Sequence, residues 1–455
     1  MQVPALDNEL GITVYATNSE GINGVIRQAP EDFLVEEVLV DNSIADINKA
    51  ESKPALHASA SRQRYLLCIM VKRNWDTFIA IKNIAKQLGI DQTRISIAGI
   101  KDAKAVTAQH ITIENITVED IRKINIKDIE IHPIGYFRDT LSPFYLLGNF
   151  FTITVKELYN SKSMIRPRIT NIAKEFEDAG GIPNFFGHQR FGTTRAITHI
   201  VGKAMIKGNF QEAAMIFLAK PSPYEHPESR QAREVLQTNQ DFSWALQNFP
   251  KQLRFERLML QHLAENPVDF PGAFKRLPMK LQALFVQAYQ SYLFNRFLSA
   301  RIRSGFSSNK ARIGDYVVNV ERSGLTMPKS GRIVTNHSVD EINDAVKVGK
   351  MRLALPLVGF RQRLSEGEMG ELERLVLEEE HVELADFRVQ ALPRISGQGE
   401  LRSIVSPVRN FMLEDISGCN GSLKVKLSFM LLRGSYATMV LRELMKPQDP
   451  IKAGF

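Results

Sequence analysis

Cysteine is nearly missing from this chain of 455 residues, which has only Cys68 and Cys419. Two thiols cannot staple a chain of this length into a disulfide scaffold, so its stability must come from hydrophobic cores. Cys68 lies within Tyr-Leu-Leu-Cys-Ile-Met and reads as a small core residue, and Cys419 sits in the loop-like Ser-Gly-Cys-Asn-Gly. Neither reads as a catalytic thiol. Long apolar runs are also missing. The longest unbroken one, Tyr65 to Val71, falls far short of the roughly 18 residues a membrane-spanning helix needs, which argues against a membrane protein. The nine histidines show neither HExxH spacing nor a Cys/His cluster, so no metal is expected. The first twenty residues carry acids at Asp7, Glu9 and Glu20 and no basic stretch leading into an apolar core, so the expected location is the cytoplasm.

The remaining composition is that of a folded protein. A hydrophobic fraction of 44% and a charged fraction of 24% are ordinary globular values, and the length suits two or three domains. Basic residues outnumber acidic ones, 58 to 50, for a net charge of +8. Such an excess suits a protein that handles polyanions, and equally a solvated basic surface with no specific partner. Charge alone leaves both open.

Hydrophobic periodicity predicts strands at Val35 to Val40, Tyr65 to Val71 and Phe150 to Val155, each rich in β-branched and aromatic residues. Between them, Asn74 is placed to cap an amphipathic helix carrying Trp75, Phe78, Ile79, Ile81, Ala85 and Leu88 and stopped by Gly89. A second helix is expected from Met164 to Ala179, ended by Gly180 and Gly181. From about 195 to 305 the pattern is almost wholly helical, most clearly over Met279 to Arg303. Strand-like pieces return at Tyr316 to Val318 and near Leu353, followed by a glutamate-rich helix over Glu366 to Glu380. The last fifty residues revert to strands, Phe411 to Ile416 and Leu423 to Leu431, and then a helix opened by Gly434-Ser435. Sheet, helical block and sheet again suggest a domain interrupted by an insertion.

Two stretches stand out chemically. Gly99-Ile100-Lys101-Asp102-Ala103-Lys104 leaves one strand and resumes alternation into another. An acid on a rigid strand-turn-strand between two lysines has positive neighbours that favour its ionised form, and an ionised carboxylate can serve as nucleophile or base. An ordinary polar turn with one acid is the plain alternative. The motif holds no second acid, which weighs against a metal-dependent nuclease built on paired carboxylates. The second stretch, Gly181-Ile182-Pro183-Asn184-Phe185-Phe186-Gly187-His188-Gln189-Arg190-Phe191-Gly192, sets aromatic rings, amides and an arginine between glycines. Rings offer stacking faces, and Asn, Gln and Arg read base edges and phosphates. A tight loop around a small aromatic core would look similar.

Three further segments accompany these: Pro30-Glu31-Asp32-Phe33-Leu34-Val35-Glu36-Glu37-Val38, Gln287 to Asn295, and Gly434-Ser435-Tyr436-Ala437-Thr438 through Lys446. The five together, in order, resemble the TruD family of tRNA pseudouridine synthases, in its archaeal type. The resemblance implies a cofactor-free isomerase that converts a uridine of tRNA, at position 13, into its C-glycoside. The family aspartate falls on Asp102, whose carboxylate would attack the sugar or assist cleavage of the glycosidic bond. Substrate contacts carry over to Phe33, Asn184 and Tyr436, and the ring that stacks on the target base to Phe186. Arg27, Lys101, Gln189 and Arg190 are the implied RNA-binding or supporting residues. Arg27 stands where a bacterial-type relative has lysine, and Tyr436 where those relatives have phenylalanine.

The implied architecture is α+β: a pseudouridine synthase fold with a mixed, mostly antiparallel sheet, built from residues 1–207 and 401–455 and interrupted by an α/β insertion (TRUD) domain at 208–400. The implied partner is tRNA, bound by a monomer with neither membrane nor metal. A non-catalytic RNA-binding protein or RNA chaperone on the same fold is the main rival, and intact Asp102 is the feature against it. An N-glycosidase or nuclease would need a second acid or a ligand set to activate water.

Overall fold

The computed structural model describes residues 2–48, 55–419 and 421–455. β1 (Phe33–Leu39), β2 (Tyr65–Arg73), β3 (Ile95–Ile97), β4 (Val106–Glu114), β5 (Ile129–Phe137) and β6 (Leu146–Leu158) form most of one large sheet. After them come β7 (Ile182–Pro183), β8 (Tyr316–Val320), β9 (Thr326–Ile333), β10 (Met351–Leu357), β11 (Glu400–Ser403), β12 (Val405–Ser406), β13 (Val408–Cys419) and β14 (Ser422–Leu432). The large sheet runs β13-β14-β6-β1-β4-β2-β5, with β3 paired to β4. Among the described residues only β1 and β4 are parallel neighbours, so the architecture is the α+β, mostly antiparallel one expected.

The predicted helix after β2 forms, with a different start and a different buried face. Asp76, not Asn74, is its cap, and its carboxylate accepts from the backbone N–H groups of Phe78 and Ile79. Asn74 takes a left-handed turn at φ +56°. Thr77, Ala80, Ile81, Ile84 and Ala85 face the sheet, while Phe78 and Ile79 are exposed. The helix covers a core that includes Cys68, Met70, Ile111 and Ile113. The helix Lys162–Asp178 ends as predicted, with Gly180 and Gly181 both at positive φ.

A second, four-stranded sheet has the order β11-β10-β8-β9 and is wholly antiparallel. Its last strand, β11, runs to Ser403, astride the boundary expected at 400. The Met279–Arg303 helix carries buried residues all round, including Phe285, Tyr289, Phe294 and Phe297. Such a helix must lie inside the molecule. One hydrophobic cluster takes in Ile153 of the large sheet, Phe294 of this helix and Leu353 of the small sheet, so the helix joins the two. The chain returns through β12, which pairs with β7, and β13 and β14 rejoin the large sheet beside β6. Among the described residues no helix is long and apolar enough to cross a membrane.

In the helix Gly367–Glu379, Glu373 is fully buried and accepts from the backbone N–H and hydroxyl of Ser365. Burial raises its carboxyl from the ordinary 4.5 to about 7, those two bonds offsetting only part of the effect. A carboxyl whose folded pKa lies above its unfolded one destabilises the fold once it must ionise. The cost is absent below about pH 4.5 and complete above about pH 7. Denaturant melts of wild type and Glu373→Gln at pH 5 and pH 8 should therefore show the variant gaining on the wild type by about 2–3 kcal/mol between the two. An unchanged difference would place the titration elsewhere.

Candidate active site

The loop carrying Asp102 is held by the way β4 shares one of its edges. β1 pairs with Val106–Ala108 at the start of β4, and β3 pairs with Ile111–Ile113 further along. The connection from β3 back to β4 must therefore pass close to β1, where Glu37 is fully enclosed. Lys101 reaches in to meet it, Nζ to Oε1 at 2.7 Å, with the two side chains 2% and 0% exposed. The other Glu37 oxygen meets the backbone N–H of His110 at 2.9 Å and its ring Nδ1 at 3.2 Å. Burial alone would raise the Glu37 carboxyl, but the Lys101 charge and the His110 bond outweigh it and leave the pKa below the ordinary range.

Two further bonds fix the loop backbone. Lys72 of β2, buried, donates from Nζ to the carbonyls of Trp75 and Asp102, both at 2.7 Å. Gln109 donates to the Gly99 carbonyl at 3.0 Å. Burial lowers the Lys72 ammonium to about 8, with the Asp102 charge opposing. Lys101 was expected to face RNA or to bias Asp102 through its charge. Its ammonium is instead paired with Glu37 inside the sheet, which makes it a support for the loop, and Lys104 is exposed.

The charge that meets the Asp102 carboxylate comes from Arg27, 75 residues earlier. Arg27 Nη2 donates to Asp102 Oδ1 at 3.0 Å, and Gln189 Nε2 donates to the same oxygen at 3.2 Å. No hydrogen bond from a described residue falls on Oδ2, and the Asp102 side chain is 25% exposed. Arg27 itself has a left-handed backbone, φ +59°, a costly conformation for a residue with a side chain. Its guanidinium lies 4.0 Å over the ring of Phe33 and also reaches the Gly454 carbonyl. Phe33 is 1% exposed and packs edge-on against Phe151. In this structure Phe33, expected to contact substrate, supports the arginine that holds the catalytic candidate.

The Asn184 to Gly192 loop is built around the backbone of Phe186. Asn295, buried in the long helix, accepts from the Phe186 N–H and donates to the Phe186 carbonyl, at 2.9 and 3.1 Å. Ser291 and Gln287 of the same helix accept from Arg190. The Gln287 to Asn295 segment therefore serves as the mount for this loop. The Phe186 ring meets Phe294 edge-on and Tyr436 at a tilt, with the Arg402 guanidinium 4.0 Å above its face. A Cβ at Gly187 would come within 3.0 Å of Thr438 Oγ1 and 3.4 Å of Tyr436, so glycine lets the loop lie closely against the C-terminal helix. Tyr436 is the half-buried residue that caps the start of that helix, Ala437–Met445, just after the predicted Gly434-Ser435 opening.

Asn184 was expected to read a uracil edge. Its Nδ2 donates to the Ser403 carbonyl at 2.9 Å, and its Oδ1 accepts from Arg402 at 2.7 Å. In this structure it anchors Arg402. His188 is tied to Asp7, which Arg442 also grips at 2.6 Å, so the loop, the amino-terminal segment and the last helix share one buried ionic knot. The structure thus brings Asp102, Arg27 and Gln189 together, and Phe186 with Tyr436, Arg190 and Arg402. Sequence reasoning missed Lys72, Glu37, Asn295 and Arg402. Asn295 and Glu37 lay within noted motifs, and nothing local marked Lys72 or Arg402.

One carboxylate held by an arginine and a glutamine, with stacking rings on the adjoining loop, is equipment for covalent chemistry on a nucleoside. The sequence matches the family described as tRNA pseudouridine synthase D (TruD) over residues 9–444. A protein of Methanosarcina acetivorans named "Probable tRNA pseudouridine synthase D" is 40% identical over 453 residues, 99% of each chain. One of the same name from Pyrococcus furiosus is 37% identical over 97% of this chain and 100% of its own. A crystal structure from Methanosarcina mazei under the name tRNA pseudouridine synthase D superposes with a TM-score of 0.85, at 36% identity, over 99% of this chain and 100% of that one. The chain belongs to the TruD family of tRNA pseudouridine synthases, which are isomerases.

The Lys72 support is open to test. Its charged form is penalised below about pH 8 and the penalty is relieved as pH rises toward 10.5, so at pH 7 replacing it removes a buried-charge cost while stranding two carbonyls. Lys72→Met should melt within a few degrees of wild type and lose at least about tenfold in kcat, the effect of about 1.4 kcal/mol in the barrier. Unchanged kcat would remove Lys72 from the positioning of Asp102.

Proposed function

We propose that this protein isomerises uridine 13 of tRNA to pseudouridine with Asp102 as the nucleophile. The observation that carries the reading is the Asp102 carboxylate itself: one oxygen is engaged by Arg27 and Gln189, and the other is free on a partly exposed side chain. Arg27, paired with Oδ1 at 3.0 Å, holds the carboxylate in place. Attack of Oδ2 on C1′ breaks the N1–C1′ bond, and uracil leaves with that electron pair. The freed ring turns, C5 bonds to C1′ and displaces the carboxylate, and the C5 proton is lost while N1 is protonated. No cofactor or metal enters this sequence.

The reacting atoms are inaccessible in a stacked helix, so the uridine must be extruded. Phe186 supplies the ring against which it stacks, and Tyr436 borders the same place. In this reading the enzyme works as a monomer in the cytoplasm, on residues 1–207 and 401–455, with the insertion at 208–400 closing over the RNA. The net charge of +8 supports a polyanionic substrate.

A tRNA transcript tritiated at uridine C5 tests the reading. Label should pass to water in an amount near one equivalent per tRNA. A transcript with cytidine in place of uridine 13 should release about none of it. Full release from that second transcript would move the target elsewhere, and no release from either would end the assignment.

A further inference from the structure

Beside Phe186, and beyond the reach of Asp102, lies a cavity of about 540 Å³ into which four arginines project: Arg190, Arg394, Arg402 and Arg433. They come from separate places in the chain: the turn at His188–Arg190, the turn at Pro393–Ile395, β11, and the exit of β14. Among the described residues none of the four makes an ion pair. That is unlike the most deeply buried arginines elsewhere, Arg233, Arg301 and Arg442, each of which meets a carboxylate within 3 Å. Three of them use neutral acceptors instead: Arg190 takes Ser291 and Gln287, Arg402 takes Asn184 and the Gly434 carbonyl, and Arg433 takes the Pro143 carbonyl. Arg190 and Arg402 also disfavour each other's charge, and burial with that repulsion lowers Arg402 to about 10. Glu400 is the one carboxylate in the lining and is exposed.

Gathering unneutralised guanidiniums costs free energy in the empty protein, and an anion entering the cavity would recover it. The volume admits a nucleotide-sized group. Gln189, the residue before Arg190, already touches Asp102. A strand whose ribose lies at Asp102 would therefore carry a neighbouring phosphate toward the arginines.

Resting on the reading of Asp102 as the site of reaction, we propose that this cavity is a phosphodiester subsite that takes a backbone phosphate flanking the isomerised uridine. Phe186, with Arg402 stacked on it, would then form the wall between the base pocket and the phosphate pocket. Arg394 and Arg433 are exposed and take no part in the carboxylate's own support, so they are the residues to change.

The experiment pairs the Arg394→Gln/Arg433→Gln double variant with tRNAs in which each phosphate flanking the target uridine is replaced, one at a time, by an uncharged methylphosphonate. For wild type, one of the two replacements should weaken binding about tenfold and lower the slope of log affinity against log salt by roughly 0.7–0.9. For the double variant the same replacement should change affinity less than twofold, and Arg394→Lys/Arg433→Lys should recover most of the difference. Equal losses in wild type and variant at both positions would overturn the subsite, as would a variant with wild-type affinity and salt slope. Coupling between the arginines and one phosphate in an enzyme that releases no tritium would keep the subsite and reject the reaction assigned to Asp102. Melting temperatures within a few degrees of wild type confirm that both variants are folded.

Discussion

A lysine ammonium 2.7 Å from a carboxylate in the interior of a sheet is the contact on which the rest of the site hangs. Lys101 and Glu37 are withdrawn from water, and desolvation makes such a pair expensive, so its net contribution to stability is small or negative. Removing one partner, however, strands the other and costs about 3–5 kcal/mol. The pair therefore acts as a locator. It ties the residue before Asp102 to β1, the strand of the Phe33 motif, and His110 on β4 completes the fixture. Lys101 is thereby buried while its neighbour Asp102 stays partly exposed.

Several motif residues turn out to act on one another. Phe33 carries Arg27, Arg27 carries Asp102, Asn184 carries Arg402, and Arg402 covers Phe186. Asn295 fixes the Phe186 backbone from a helix more than a hundred residues away. The site is thus a set of rigid supports converging on one free carboxylate oxygen and one aromatic wall. Rigidity of this sort is what covalent catalysis requires, since misplacement by a fraction of an ångström is costly.

Much of this was legible from residue patterns, and the exceptions have physical causes. The strands at β1, β2, β6, β13 and β14 announced themselves because they are long and rich in β-branched or aromatic residues. β9 did not: Thr326–Ile333 contains a proline and a glycine and is mostly exposed. The helix after β2 was foreseen with the wrong cap, because Asn74 and Asp76 are both good capping residues and only the turn geometry chooses between them. At the site, Asp102 was visible as the lone acid of a basic turn, but the identity of its cation was not. Lys101 and Lys104 both lie within two residues of Asp102, yet one is buried against Glu37 and the other is exposed, and Arg27 arrives through tertiary folding. Phe33 and Asn184 each hold an arginine in the fold, a role that stacking rings and amides fill as readily as contact with substrate.

The central claim is that the free oxygen of Asp102 forms the bond to the sugar. Asp102→Asn keeps the shape of the side chain and a donor-acceptor pair beside Arg27 and Gln189, and removes the nucleophile. Single-turnover release of tritium from C5-labelled tRNA, measured alongside tRNA affinity, separates binding from reaction. The account predicts affinity within a few-fold of wild type and a rate lower by about four orders of magnitude, some 5–6 kcal/mol in the barrier. A variant that releases label within tenfold of the wild-type rate would contradict it.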